Sequence, residues 1–167
     1  MSALDEEARR FCGAFSGGRE DLRLQYQTVS TVTDPLAEQQ TILAQILEHQ
    51  AAHEAAERAS GQCLTGPHKD DFSATLNDLS VRSYGSQGQT RTAAISLKLS
   101  ERELLRRDTG EEPLLLLDDV LSELDPLRQD FVLNQLSSGQ VFITCCEADK
   151  LTALGRTLRV RDGKLEA

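Results

Sequence analysis

The sequence has 167 residues, enough for one ordinary domain or for one domain with part of another. A net charge of −9 excludes a basic surface over the whole chain, and a hydrophobic fraction of 39% argues against disorder. The four cysteines form no C-x-x-C pair, the N-terminus is acidic, and the apolar runs are short. These features predict a globular protein of the reducing cytoplasm, neither exported nor in contact with a membrane.

The first 62 residues predict two helices separated by a strand. Residues 1–15 have a helical pattern that ends at a glycine-rich stretch, and Leu22, Leu24 and Tyr26 then alternate with polar residues as in a strand. A second helix is predicted to begin at Pro35 and to end at Gly61.

This second helix carries His49, His53 and Glu57 at the spacing of a metal site on one helix face. Gln50 stands where a zinc protease would have its catalytic Glu, so no general base is supplied. Because this general base is missing, a solvated helix face is favoured over a metal site.

The middle of the chain predicts a hairpin followed by a long helix. Residues 72–76 and 79–84 alternate and are joined by Asn-Asp, and a helix is predicted over residues 89–107. The helix is entered through "SYGSQGQTR", whose small residues allow an anion to approach the unpaired N–H groups of the first turn. Phosphate is the first candidate for that anion.

The segment "PLLLLDDVLSELD", residues 113–125, has four consecutive leucines, which predict a strand buried on both faces of a sheet. Asp118 and Asp119 follow at its carboxyl end, where paired carboxylates suit Mg²⁺ and a water nucleophile. The alternative is that they begin a loop or cap a helix, and Asp125 before Pro126 is itself a good N-cap.

The last forty or so residues complete an α/β pattern. A helix to Leu136 precedes a buried strand at 141–144, a short helix is predicted after "CCEADK", and Asp162-Gly163 joins two short strands. Alternating strands and helices are typical of an α/β nucleotide-binding layer.

The order of the loop "SQGQTR", the "LLLLDD" strand, "SELD" and a strand ending in Thr144 resembles ATP-binding-cassette (ABC) ATPases. With "GPHKDDF" upstream, it is similar to the C-terminal portion of the RecF family, related to the heads of SMC proteins, from about Glu57 onward. The resemblance implies an α/β fold: part of an ABC-type head with a mostly parallel sheet, flanking helices and β-hairpins. It assigns residues 1–62 to a remnant of a helical lobe with its return strand, and residues 63–167 to the head.

The resemblance also implies roles for individual residues. It implies that Asp118 holds Mg²⁺ and that Asp119 is the general base or orients water. The residues implied to bind ATP across a dimer interface are Ser86, Gln87, Gly88, Gln89 and Arg91. Ser122 and Asp125 correspond to the D-loop, and Thr144 and Cys145 to the switch, where many transporter-type cassettes have His instead of Cys145.

The cofactors implied are ATP and Mg²⁺, and the partners are DNA at single-strand gaps or junctions, a second subunit in an ATP-dependent homodimer, and mediator proteins such as RecR. The phosphate-binding pattern G-x-x-x-x-G-K-[ST] is missing from the sequence, so the chain alone is expected to be inactive. Two alternatives stay open: the head of another ABC or SMC-like ATPase, and a catalytically inert interaction module.

Overall fold

The computed structural model describes residues 1–135, 139–146 and 155–166. The helices are α1 (Ser2–Ser16), α2 (Gln39–Ser60), α3 (Val81–Tyr84), α4 (Gln87–Thr109) and α5 (Pro126–Asn134). The strands are β1 (Leu22–Gln27), β2 (Asp71–Leu76), β3 (Leu79–Ser80), β4 (Leu115–Asp118), β5 (Val141–Thr144), β6 (Arg159–Arg161) and β7 (Lys164–Glu166). The chain consists of two compact units, Met1–Ser100 and Glu101–Ala167. The predicted boundary after residue 62 stays a prediction.

The first unit is built on an antiparallel sheet in the order β1-β2-β3, in which Leu22 pairs with Leu76. Its core is formed by side chains from α1, the sheet, α3 and α4: Ala8, Cys12, Leu22, Leu24, Leu76, Val81 and Ala93. Helix α4 is therefore fixed at its N-terminal half by the core of this unit.

The predicted hairpin is present, but its second strand is shorter than expected. Asn77 and Asp78 both have positive φ, +48° and +67°, as a two-residue type I′ turn requires. The strand predicted over 79–84 ends at Ser80, and residues 81–84 form a helical turn instead. The alternating pattern of residues 79–84 predicted a longer strand, but Val81, the buried residue of this stretch, reaches the core from a helical turn.

Helix α2 begins at Gln39, four residues after the predicted start, because Asp34 caps a turn over residues 34–37. The row of His49, His53 and Glu57 is not a fully solvated face, although most other polar side chains of α2 are exposed. His49 is buried with Nδ1 2.8 Å from Thr65 Oγ1, and Glu57 accepts hydrogen bonds from the N–H groups of Leu64 and Thr65. These residues fasten the following loop to the helix.

The second unit contains a parallel pair, β4 and β5, with Leu115 opposite Val141 and Asp118 opposite Thr144. The prediction that β4 is buried on both faces is wrong. Leu115 and Leu117 are buried, whereas Leu116 is 66% exposed and its neighbour Phe142 is 48% exposed. Within the described residues, apolar cover lies on only one face of this sheet.

The remaining elements agree with the sequence pattern where they are described. Helix α5 begins directly after Asp125, and β6 and β7 form a hairpin around Asp162 and Gly163. The short helix predicted after Cys146 lies outside the described residues. The mixed helix and sheet content, with its parallel β4–β5 pair, confirms the α/β class. No helix within the described ranges is long and apolar enough to cross a membrane.

Candidate functional site

The loop that enters α4, residues 85–91, is held by a reciprocal pair of hydrogen bonds and is called the signature loop below. The Gln89 N–H donates to Ser86 Oγ at 3.2 Å, and the Ser86 N–H donates to Gln89 Oε1 at 2.9 Å. This is a capping box, in which a Ser and a Gln three residues apart satisfy each other's backbone donors. Ser86 and Gln89 therefore adopt a fixed arrangement at the helix N-terminus.

Gly85 allows the chain to turn tightly between α3 and α4. A Cβ atom at this position would lie 2.5 Å from the Val81 carbonyl oxygen and 3.0 Å from Thr90 Oγ1. The closer of these neighbours is backbone, which cannot swing away as a flexible side chain can. The close approach therefore requires glycine at residue 85.

The capping box leaves hydrogen-bond donors at the start of α4. Ser86 Oγ accepts from Gln89, so its own hydroxyl hydrogen can be donated elsewhere. Within the described residues, the N–H groups of Gln87 and Gly88 have no carbonyl partner, as is usual in a first helical turn. Ser86 and Gln87 are exposed, and Arg91 is half-buried on the next turn. These groups form a surface suited to a phosphate oxygen.

The second group of predicted site residues lies at the carboxyl end of the β4–β5 pair. Thr144 Oγ1 donates to Asp118 Oδ1 at 2.5 Å and accepts the Asp119 N–H at 2.9 Å. The Asp119 N–H also lies 3.2 Å from the Thr144 carbonyl oxygen. One threonine on β5 therefore orients the Asp118 carboxylate and holds the backbone of Asp119, and both aspartate side chains are exposed to solvent.

Asp119 has a left-handed backbone with φ of +51°, a conformation that non-glycine residues rarely adopt. The chain reverses here, and Ser122 Oγ donates to the Asp119 carbonyl oxygen at 2.8 Å. Such strain is concentrated at functional sites, where neighbouring contacts hold it.

Asp125 begins α5 as the sequence predicts. Its carboxylate accepts from the Arg128 N–H at 3.1 Å and from the Arg128 guanidinium at 2.5 Å. The backbone N–H first, and then the guanidinium, hold the pKa of Asp125 below its usual range. The Asp125 carboxylate is therefore the N-cap of α5.

The two aspartates have the chemistry of a magnesium site. Mg²⁺ is commonly held by one or two carboxylates together with waters and phosphate oxygens, not by a full cage of protein ligands. No group of three or more His, Cys, Asp or Glu side chains that could hold a metal occurs in the described part of the chain. The pair of carboxylates fits the sparse protein ligation typical of Mg²⁺ with a nucleotide.

Sequence reasoning missed two contacts that shape these sites. The Ser-x-x-Gln spacing of the capping box was readable in "SQGQ", because it stands at the start of a helix. The Thr144 contact with both aspartates could not be read from sequence, since it depends on the register of β4 against β5. The two groups lie in different compact units.

No family model matches the chain. The chain is similar to curated proteins described as "DNA replication and repair protein RecF". It is 44% identical to the protein of Synechococcus sp. (strain JA-3-3Ab) over 81% of this chain and 36% of that protein. It is 38% identical to that of Synechococcus sp. (strain JA-2-3B'a(2-13)) over 99% of this chain and 45% of the relative.

Solved structures give the same result. A structure described as the recombination mediator protein RecF-ATP in the RecFOR pathway matches with a TM-score of 0.81 and 32% identity, over 99% of this chain and 43% of that one. The chain thus spans less than half the length of these relatives. Its fold and these similarities define part of an ABC-type ATPase head. The chain belongs to the RecF family, and it corresponds to the C-terminal portion of those proteins.

Proposed function

We propose that this chain supplies the signature loop and the aspartate edge of an ATP-dependent, RecF-like DNA repair and recombination protein. The observation that carries the proposal is the end of the β4–β5 pair, where Thr144 holds the Asp118 carboxylate and the Asp119 backbone at the carboxyl ends of parallel strands. Ligands of α/β sheets bind at this end of the strands. A similar solved structure is described as RecF-ATP.

In the proposed site, Asp118 holds Mg²⁺ through its carboxylate, which Thr144 Oγ1 orients. Bound Mg²⁺ would neutralise charge on the phosphates during transfer. Asp119 is the proposed general base or water-orienting group, and its left-handed backbone fixes the direction in which the carboxylate leaves the strand. Cys145 follows Thr144 and is half-buried, so this chain has a thiol, not an imidazole, at the proposed switch position.

The proposed role of the signature loop is to bind the γ-phosphate of a nucleotide held mainly by an opposing subunit. Ser86, Gln87 and Gly88 offer a hydroxyl and two N–H groups, Gln89 keeps the loop in shape, and Arg91 adds a positive charge on the next turn. A phosphate contacted by both subunits would favour the dimer, and its loss on hydrolysis would remove that preference. Ser122 and Asp125, close to the Asp119 turn and the start of α5, are proposed to approach the dimer interface.

The proposed partners follow from the relatives. These proteins are described as acting in DNA replication and repair and, for a solved structure, in the RecFOR pathway. We therefore propose DNA with single-strand gaps or junctions and a RecR-like mediator as partners of the complete head, and the cytoplasm as its location. The net charge of −9 indicates that DNA contacts would be local and not spread over this chain.

The experiment measures binding of a fluorescent nonhydrolysable ATP analogue with Mg²⁺. The chain is tested alone and mixed with a separately produced N-terminal portion of the Synechococcus sp. (strain JA-3-3Ab) relative, of which this chain covers 36%. Binding is expected only in the mixture and is expected to weaken about tenfold or more with Asp118→Asn. Asp130→Asn, on the exposed surface of α5, is the matched control.

The outcomes separate the proposal from its alternative. A mixture that binds the analogue and hydrolyses ATP, with hydrolysis lost in Asp119→Asn, supports the ATPase role. A stable mixture that never binds the analogue would instead support the inert interaction module. Tight binding by the chain alone would show that its phosphates are held somewhere other than these two groups.

A further inference from the structure

A glutamate from a distant turn of the first unit contacts the signature loop. Glu20 lies in the turn between α1 and β1, and its Oε1 accepts a hydrogen bond from Gln89 Nε2 at 3.0 Å across 69 residues of sequence. Glu20 is half-buried. Its other carboxylate oxygen, Oε2, is buried and has no hydrogen-bond partner among the described residues.

The chemistry of Glu20 determines the orientation of the Gln89 amide. An ionised carboxylate only accepts hydrogen bonds, so the amide must turn its NH₂ group toward Glu20. Its oxygen then faces the Ser86 N–H, which donates to it at 2.9 Å. With the opposite orientation, both contacts would place like partners together. Glu20 therefore fixes the polarity of the capping box.

The backbone of Glu20 and the side chain of the next residue both make hydrogen bonds to α1. Its N–H donates to the hydroxyl of Ser16 at 3.0 Å, and Ser16 is only 3% exposed at the end of α1. The next residue, Asp21, is tied to α1 by Arg9, with Nε 2.5 Å from Oδ1. The Glu20 carboxylate also lies beside the N-terminus of α4, whose dipole favours a negative charge. Hydrogen bonds at Glu20 and Asp21 therefore hold this turn to α1.

We infer that Glu20 is a positioning residue for the signature loop: by fixing the Gln89 amide, it sets the orientation in which Ser86 and the first-turn N–H groups meet a phosphate oxygen. The nature of the ligand rests on the proposed function. The positioning itself rests on the two hydrogen bonds of Gln89, to Glu20 and to Ser86.

The first test measures amide hydrogen exchange of Ser86 by NMR in this chain without nucleotide. Glu20→Ala is expected to speed exchange of the Ser86 N–H about fivefold or more, the effect of losing one hydrogen bond's net contribution. Glu20→Gln, which keeps an acceptor oxygen for Gln89, is expected to restore most of the protection. Glu6→Ala, an exposed glutamate of α1, is the matched control and is expected to change nothing.

A double-mutant cycle excludes a general loss of structure. In a Gln89→Ala background, adding Glu20→Ala should leave Ser86 exchange unchanged, because the linking amide has already been removed. Unchanged exchange in Glu20→Ala alone, no restoration by Glu20→Gln, or a full additional effect in the Gln89→Ala background would each overturn the inference.

The second test uses the reconstituted mixture described above. Glu20→Ala is expected to weaken binding of the ATP analogue about fivefold, and Glu20→Gln to restore it. If the unaltered mixture binds no nucleotide, the proposed function fails while the exchange result still decides the role of Glu20. If the mixture binds nucleotide and Glu20→Ala binds it equally well, the inference fails and the proposed function stands.

Discussion

The two compact units support their candidate site residues in different ways. In Met1–Ser100, segments far apart in sequence meet around the signature loop, and the strands that carry this arrangement are buried where they face α1. In Glu101–Ala167, one threonine of the neighbouring strand orients the Asp118 carboxylate and holds the Asp119 backbone, and the sheet leaves Leu116 and Phe142 exposed. Each unit therefore holds its site residues by its own contacts, but the first unit packs its site elements on a core, whereas the second carries its site on a sheet with exposed apolar side chains.

The largest expected effect contrasts one leucine from each sheet. Leu22→Ala removes a fully buried side chain from the first core and should lower the free energy of unfolding by about 2–5 kcal/mol. Leu116→Ala, at a 66% exposed position, should change it by less than about 0.5 kcal/mol. Urea unfolding of both variants checks this, and equal losses would contradict the contrast between the units.

The tight turn before α4 should give the next largest effect. Gly85→Ala places a Cβ 2.5 Å from the Val81 carbonyl oxygen, and relief of this clash should cost about 1–3 kcal/mol of stability. Gly13→Ala is the matched control, because it lies within α1 and a Cβ there meets nothing within 4 Å. That control should be neutral or stabilising. A Gly85→Ala variant as stable as Gly13→Ala would show that the loop can adopt another path.

A smaller effect is expected at the helix cap of the second unit. Asp125→Ala removes the acceptor for the Arg128 N–H and should cost about 1 kcal/mol. Asp130→Ala, on the exposed face of the same helix, should cost less than half as much. Chemical denaturation followed by circular dichroism measures both, and the same loss from the two variants would argue against a specific cap.

The smallest effect is a dependence on pH at the loop after α2. The N–H of Leu64 first, with smaller contributions from Cys63, Thr65 and His53, lowers the pKa of Glu57. A carboxyl whose pKa is lower in the folded state stabilises the fold above its unfolded pKa, and this stabilisation is lost as pH falls through the folded value. Glu57→Gln should therefore make unfolding midpoints less sensitive to acid between about pH 5 and pH 3.

The control for this pH effect is Glu54→Gln on the same helix, whose carboxylate pairs only with the exposed Arg58 among the contacts described. Its acid sensitivity should match that of the unaltered chain. An identical response of the two variants would show that Glu57 does not account for the pH dependence.

Sequence patterns predicted the local features of the fold more accurately than they predicted which side chains are buried. The two-residue turns, the cap at Asp125 and the strand ending in Asp118 depend on neighbouring residues, and all are present in the structure. The prediction that β4 is buried on both faces was wrong. A run of leucines shows that a strand could be buried on both faces, but it does not show which elements cover those faces.

The candidate sites show the same limit. The helix entry at "SQGQ" and the paired aspartates were visible as local patterns. The groups that orient them, Glu20 and Thr144, act from 69 and 26 residues away through the register of the fold, so their side chains carry no local signal. The solvated-face interpretation of α2 failed for this reason too, since His49 and Glu57 are engaged by a loop that follows the helix.

The left-handed backbone of Asp119 restricts how its chemistry can be tested and how the position can drift in evolution. Asn and Gly adopt this conformation readily, whereas Ala, Glu and especially β-branched residues would pay for it in backbone energy. Asp119→Asn therefore removes the charge while keeping the chain path, but Asp119→Glu would disturb the turn even though it retains the carboxylate. In natural homologues that lose this acid, replacement by Asn or Gly is the expected route.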